Sequence, residues 1–496
     1  MKKVYSVISI LLCITLLFSA CNNGGEVSNN EEQTTESQNQ ATENTVTVVK
    51  DGKISLPFNE TDGFNPFFAK SNENLYLSSL LYESLFTVDS SYKANPDLAQ
   101  SIVINGTTAT VTIRLDGDCR GANPINAYDV EYSFNMAKAS YSWSGALTGV
   151  ISATAQSNSV IDFALAFSDG LVAGKLTFPI VKSGTADSQT AIPTGSGDYY
   201  YSHGALRSVS DAEKVITLCS IDTNESAENA FRIGKTDVYF SDLSDCEYES
   251  ITGTSFNLQL NNMVYLGLNC ARGALTKHIR SAIAAKINAE EIAVSSYQGH
   301  ATPIKLPVNP ESEMAGKVSA IDIKSDKITA DNIIDRCGYT RYSGKAKTNG
   351  AYLLSFTLIV NNDNKYRVAA AYSIADSLNE CGFLINVQAL SFADYNQRIS
   401  SGNYDMYLGE VKLDGSLDIS QFFGNGALGM GIDKTERVAT DYYKYRAGEI
   451  TEQEYYNIFA EYYPFVPICF RKGSVVFSGD VTPQENQFPY NVYAGI

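Results

Sequence analysis

Glu410, Asp414 and Asp418 crowd one short stretch and are the residues best placed to do chemistry, by binding charge rather than by making or breaking bonds. The run Tyr404–Leu408 before them reads as a strand. Glu410 to Ser420 is then expected to leave that strand as a loop, with Val411 and Lys412 between the acids. In open α/β sheets ligands bind beyond the carboxyl ends of the strands, which nominates this loop. A solvated surface loop is the other reading for each acid. Covalent chemistry has no comparable candidate. The sequence lacks a Walker A run, a G-x-S-x-G elbow and an H-E-x-x-H pair, and His203, His278 and His300 are far apart. Gly424-Asn425-Gly426-Ala427-Leu428-Gly429 matches G-x-G-x-x-G but has no helix signal after it, and a phosphate cradle needs a helix N-terminus there. Ser90-x-x-Lys93 lacks its S-D-N and K-T-G companions, and Asn361 to Asn364 lacks the central Gly and downstream Glu of a calcium loop. No enzyme activity, cofactor or metal site is expected.

One thiol does suggest a covalent event. Lys2 and Lys3 lead a charge-free apolar run, Val4 to Leu17, followed by Leu17-Phe18-Ser19-Ala20-Cys21. The run is short for a membrane span of roughly 20 residues. It resembles a bacterial lipoprotein signal, with Phe18 where an aliphatic residue is usual. The resemblance implies cleavage of a signal peptide at 1–20, acylation of Cys21 and anchoring on the outer side of a cell membrane. Residues 21–45 are Asn, Gln, Glu, Ser and Thr with almost no large apolar side chain, a composition that predicts a disordered acidic tether.

The remaining length suits two or three domains, and no later apolar run is long enough to cross a bilayer. Lys and Arg number 37 against 55 Asp and Glu, a net charge of −18 that argues against a nucleic-acid partner. Beyond Cys13 and Cys21 the cysteines are Cys119, Cys219, Cys246, Cys270, Cys337, Cys381 and Cys469, with no C-x-x-C pair. They read as scattered small hydrophobes.

Elements that could position the acids follow from periodicity. Thr45–Val49 and Lys53–Phe58 flank Asp51-Gly52 as a hairpin signature. Asn74 to Phe86 has helical spacing, Thr110 to Leu115 alternates as a strand, and Ala127 to Ala139 is a helix capped by Asn126. Ser355–Val360, Tyr366–Glu380, Leu384–Leu390, Ala393–Ser401 and Tyr404–Leu408 read as β-α-β-α-β, a crossover unit with adjacent parallel strands. Thr451 to Glu454 is a capping box that opens another helix.

Four ordered segments resemble extracellular solute-binding proteins of the peptide/nickel ABC-transporter family. The first joins Phe64-Asn65-Pro66-Phe67, Leu81-Tyr82-Glu83-Ser84-Leu85 and Asn95-Pro96-Asp97-Leu98-Ala99 to Gly121-x-x-Pro124-Ile125-Asn126-Ala127-Tyr128-Asp129-Val130. Pro193-Thr194-Gly195-Ser196-Gly197-Asp198-Tyr199 is similar to the family's P-x-G-T-G-P-Y. Tyr265 to Asn269, Ile279-Arg280-Ser281-Ala282-Ile283 and Gly299 to Pro303 form the third segment, and Gly402-Asn403-Tyr404-Asp405-Met406 resembles G-x-Y-D-M.

The resemblance implies an α/β fold, a type II periplasmic-binding-protein-like clamshell with an extra inserted domain. Its discontinuous domain I would take 46–73, 183–268 and 462–496, with domain II at 74–182 and domain III at 269–461. It implies a monomeric, lipid-anchored, extracellular component of an ABC importer that captures peptides by closure and hands them to permease and ATPase subunits. Nickel-chelate, haem or an oligosaccharide are alternative solutes on the same fold, and a surface lipoprotein outside transport is a third reading. Val411-Lys412-Leu413-Asp414 falls where peptide binders of the family have W-x-x-D, whose aspartate holds the peptide ammonium. That makes Asp414 the expected acid, with Asp418 the alternative. Asn65 and Phe67 would lie on the facing rim, and Thr194, Gly195 and Gly197 near the hinge and cleft.

Overall fold

The computed structural model describes residues 53–117, 119–243, 251–318, 326–424, 426, 428–479 and 492–493. Two large hydrophobic cores organise them. One runs from Ile54 through Val111, Phe134, Phe163 and Leu206 to Tyr493, the other from Met263 through Ile283, Leu358 and Phe422 to Phe470.

The first core lies under two sheets. In one four-stranded sheet Lys53–Asn59 runs parallel to Val215–Ile221, which continues through Ala205–Ser208 to Tyr199–Ser202. The other is antiparallel, ordered Ala99–Asn105, Thr108–Ile113, Val160–Leu165, Val150–Ala155, and carries the helix Ala127–Ala139. That helix starts where expected because Asn126 accepts from the backbone N–H of Tyr128 and Asp129, and Asp129 accepts in return from that of Asn126.

The second core surrounds part of a seven-stranded sheet ordered Val238–Ser241, Phe465–Phe477, Thr254–Leu268, Met406–Lys412, Ser355–Asn361, Leu384–Leu390, with Ala301–Pro303 pairing Phe465–Phe477 as the seventh strand. The predicted crossover unit is present: Ser355–Asn361 is parallel to both Leu384–Leu390 and Met406–Lys412, with helices Lys365–Asn379 and Phe392–Ser400 between. Thr254–Leu268 and Phe465–Phe477 pair antiparallel and link the lobes. Leu258, Val475 and Phe477 enter the first core, while Met263 to Leu266 and Phe465 to Phe470 enter the second.

Two sequence expectations are corrected, and a third lies partly outside the described residues. The helix expected over 74–86 is Asn72–Leu81, and Phe86–Val88 is instead a strand paired with Ala94–Pro96. Backbone beyond Leu81 is captured elsewhere, as Gly197 N–H donates to Leu81 O and Ile180 N–H to Glu83 O, so tertiary pairing overrides helical spacing. The strand expected over 404–408 is Met406–Lys412, because its antiparallel neighbour Thr254–Leu268 keeps pairing as far as Lys412. Lys53–Asn59 pairs in parallel with Val215–Ile221, and the Thr45–Val49 arm of the expected hairpin lies outside the described residues. So do Cys21, the signal and the tether.

Candidate ligand-binding site

The longer strand moves Glu410, Val411 and Lys412 out of the loop and onto the sheet. Glu410 is consumed there by two guanidiniums. Arg471 Nε and Arg367 Nη2 donate to its carboxylate at 2.8 and 2.6 Å, and Asn262 Nδ2 adds a third bond at 2.8 Å. Burial pushes the Glu410 carboxyl up, but Arg471 and Arg367 outweigh it and bring the pKa to about 2. Glu410 therefore joins the crossing strand to the crossover unit and has no room for a ligand cation.

Past Lys412 the chain turns under a bulge. The register of Thr254–Leu268 against Phe465–Phe477 slips between Gln259 and Met263, where Asn261 is fully buried. Its side-chain amide donates to Leu413 O, and its backbone carbonyl accepts from Leu413 N–H at 3.0 Å. Leu417 takes a positive φ of 54°, a left-handed conformation uncommon for a bulky side chain. The resulting loop presents Asp414 and Asp418 to one point. Asp414 Oδ1 accepts from Ser416 N–H and Oγ at 2.8 and 2.7 Å. Asp418 accepts from Tyr442 OH at 2.6 Å and from Ser420 N–H and Oγ at 2.7 and 2.8 Å.

A lysine of the other lobe occupies that point. Lys175, 1 % exposed, closes the 3₁₀ turn Val172–Lys175 and donates to Asp418 Oδ2 at 2.5 Å and to Thr148 O at 2.6 Å. Its ammonium is 3.6 Å from Asp414 and 3.9 Å from Asp169. Arg446, also 1 % exposed, crosses the same boundary from the helix Arg437–Arg446. It grips Asp169 through Nε at 2.8 Å and Nη2 at 2.7 Å, and donates to Ser416 O and Oγ at 3.0 and 2.9 Å. Gly170 N–H donates to Arg446 O at 2.7 Å. The two backbones touch: a Cβ on Gly174 would lie 2.7 Å from the carbonyl of Gly415.

Three carboxylates and two cations leave this cluster one negative charge in surplus. Burial would raise both loop acids, but they separate. Lys175 and Arg446 overcome burial at Asp418 and hold it far below the usual carboxylate range. At Asp414 burial, reinforced by the Asp418 charge, outweighs Lys175 and the carboxyl is pushed up.

The other expected residues serve the scaffold. Asn65 is fully buried and donates to Ala186 O and Ser188 O at 2.9 and 2.8 Å, and Phe67 is 5 % exposed in the first core. Neither presents an open rim, because the surrounding loops close over them. Trp143 Nε1 donates to Pro66 O at 2.9 Å, tying the same segment down. Gly195 and Gly197 press on the end of the first helix, where a Cβ would meet Tyr82 and Leu81 at 2.4 Å. Thr194 and Gly195 line a cavity of about 220 Å³ with Arg120, whose guanidinium is 3.2 Å from the centre of the Tyr200 ring. The six described cysteines are free thiols, and no group of His, Cys, Asp and Glu among the described residues could hold a metal ion. None of the described helices is long and apolar enough to cross a membrane.

Sequence reasoning missed Lys175, Asp169, Tyr442 and Arg446. Lys175 did carry a signal, as the single charge in the largely apolar stretch Leu171 to Val181. Tyr442 and Arg446 are four apart on one helix face but were indistinguishable from surface polar residues.

Two lobes with separate cores, joined by paired crossing strands and meeting across buried charges, define a clamshell α/β binding protein. The chain belongs to the bacterial extracellular solute-binding proteins, family 5, whose middle-region model matches residues 93–429. Members of this family are binding proteins of transport, and the fold is the periplasmic-binding-protein type. Three of the solved structures that share it illustrate its range. The oligopeptide-binding protein AppA of Bacillus subtilis, in complex with a nonapeptide, has a TM-score of 0.60 at 18 % identity, over 89 % of this chain and 97 % of its own. NikZ of Campylobacter jejuni, in complex with Ni(L-His), gives 0.61 at 16 % over 89 % and 98 %. The unliganded open form of the periplasmic murein tripeptide-binding protein MppA gives 0.68 at 15 % over 88 % and 95 %. A sequence search of curated proteins gave no match.

Proposed function

We propose that this chain is the solute-capturing component of an ABC importer, held outside the membrane by lipid on Cys21 and presenting its closed form to the permease. The supporting observation is that the acid pair and lobe closure form one device: Asp414 and Asp418 of one lobe meet Lys175 of the other in a fully buried contact. A loop that holds a desolvated ammonium between two lobes is the chemistry a peptide N-terminus needs, since a buried ammonium requires an anionic partner. Asp414 and Asp418 are the proposed ligand acids. Glu410, Val411 and Lys412 lead the chain to them, Asn65 and Phe67 brace the facing lobe, and Thr194, Gly195 and Gly197 support the hinge. Domains at 46–73 plus 183–268 plus 462–496, 74–182 and 269–461 are the proposed moving parts.

Lys175 also favours a second reading. An acid pair that already has its cation suits a solute without an ammonium, such as a nickel-chelate, haem or an oligosaccharide. Calorimetry with free and N-acetylated peptides separates the two: selective binding of the free form supports the first, and binding of neither moves the second ahead. Cys21→Ala should release the protein from the membrane fraction, and unchanged retention would refute the anchor.

A further inference from the structure

Lys175 is built as an ion carrier rather than a surface lysine. Its turn is apolar, and Val172 and Leu176 on either side are fully buried. Among the described residues the one acid of its own lobe within 4 Å, Asp169, is already gripped on both oxygens by Arg446. The nearest charge partner of the lysine is therefore across the boundary, on Asp418, with Asp414 next. Gly174 sets the reach, because any side chain there would strike the backbone at Gly415 and Ser416 and hold the turn away. The group delivered is a tetrahedral nitrogen with three donors, the same chemistry as a peptide α-ammonium.

We propose that Lys175 is a tethered ammonium that competes with the ligand's own ammonium for the Asp414–Asp418 pair, and so sets how strongly this protein selects a free amine. The proposal rests on the acid pair being the ligand's cation site. When seated, the tethered group fills that site and holds the lobes together, so an incoming amine must exchange with it. Apparent affinity for amines is reduced by the fraction of molecules in which Lys175 is seated.

The test uses the full chain carrying Lys175→Met, which keeps the aliphatic length and removes the charge. Ethylammonium should raise the unfolding temperature of this variant, tetramethylammonium, which has no N–H donor, should not, and the wild type should respond to neither. The preference for trialanine over N-acetyl-trialanine should rise about tenfold or more from wild type to variant. A folded variant indifferent to ethylammonium, or an unchanged preference, overturns the proposal. Rescue by ethylammonium without peptide binding to either protein leaves the proposal standing and refutes the peptide reading. Free-amine selectivity that is equal in both proteins does the reverse. If Lys175→Met does not fold, refolding is the readout: recovery of soluble protein in ethylammonium but not tetramethylammonium supports the proposal, and no recovery in either overturns it.

Discussion

Asp169→Asn should open the two lobes before it unfolds either of them. Asp169 is 4 % exposed on its side chain and Arg446 1 %, and two bonds at 2.8 and 2.7 Å join them across the boundary. With charge centres about 4 Å apart and an effective dielectric near 20, their attraction is about 4 kcal/mol. Stranding a buried partner costs about 3–5 kcal/mol. Among the described residues the Arg446 guanidinium retains Ser416 O and Oγ, both in its own lobe. Lobe separation returns the guanidinium to water, so the penalty falls on closure rather than on either core. Gly170 N–H, bonded to Arg446 O across the same boundary, reports the event by amide hydrogen exchange. Its protection should fall by roughly two to three orders of magnitude, at about 1.4 kcal/mol per tenfold, while amides of Val111 and Ile283 stay protected. Small-angle scattering should show a larger radius of gyration. Replacing both partners, Asp169→Leu with Arg446→Met, should recover much of the closure. Unchanged protection at Gly170 would refute the reasoning, and so would a uniform loss across both cores.

Three further outcomes follow from the same geometry. Glu410→Gln should cost about 3–5 kcal/mol at neutral pH by stranding Arg471 and Arg367. The folded pKa of Glu410, about 2, lies below its unfolded value. Its contribution is therefore present above about 4.3 and lost as pH falls toward 2, so the variant should flatten the acid limb of Tm against pH. Asp414 has the opposite sign: its folded pKa is raised, so its contribution is complete below the unfolded value and lost as pH rises through the folded one. Asp414→Asn should thus raise Tm at pH 7 and leave it little changed at pH 4, measured by calorimetry. Gly174→Ala should keep the lobes apart, because the added Cβ meets backbone that cannot move aside, and scattering should show the open form.

Much of the scaffold was legible because local physics set it. Asn126 and Thr451 cap their helices with their own side chains as read, the Thr451–Glu454 capping box forms, and the structure adds a second box at Asn126 and Asp129. The crossover unit between Ser355 and Lys412 followed from apolar spacing and from Gly382 and Gly402 at helix ends, since short connections admit few topologies. Errors came where a distant segment supplied the partner. Nothing near Tyr82 in sequence announces that Gly197 will take the hydrogen bond ending that helix, and nothing near Leu408 announces four more residues of pairing.

The acid loop divides the same way. Sequence pattern nominated Asp414 and Asp418, because a loop after a parallel strand is fixed by the strand itself. It could not say what the acids would meet. Lys175 lies more than two hundred residues away from them, and Asp169 is still further from Arg446. Whether a charge is solvated, paired or shared depends on which surfaces come together and exclude water. The sequence by itself determined the capped helices, the crossover unit, the family's order of segments and the nominated loop. Only the tertiary structure decided that Glu410 is locked by two arginines, that Asn65 and Phe67 are buried, and that a lysine from the opposite lobe fills the aspartate pair. Those outcomes are burial and long-range electrostatics, which no local spacing encodes.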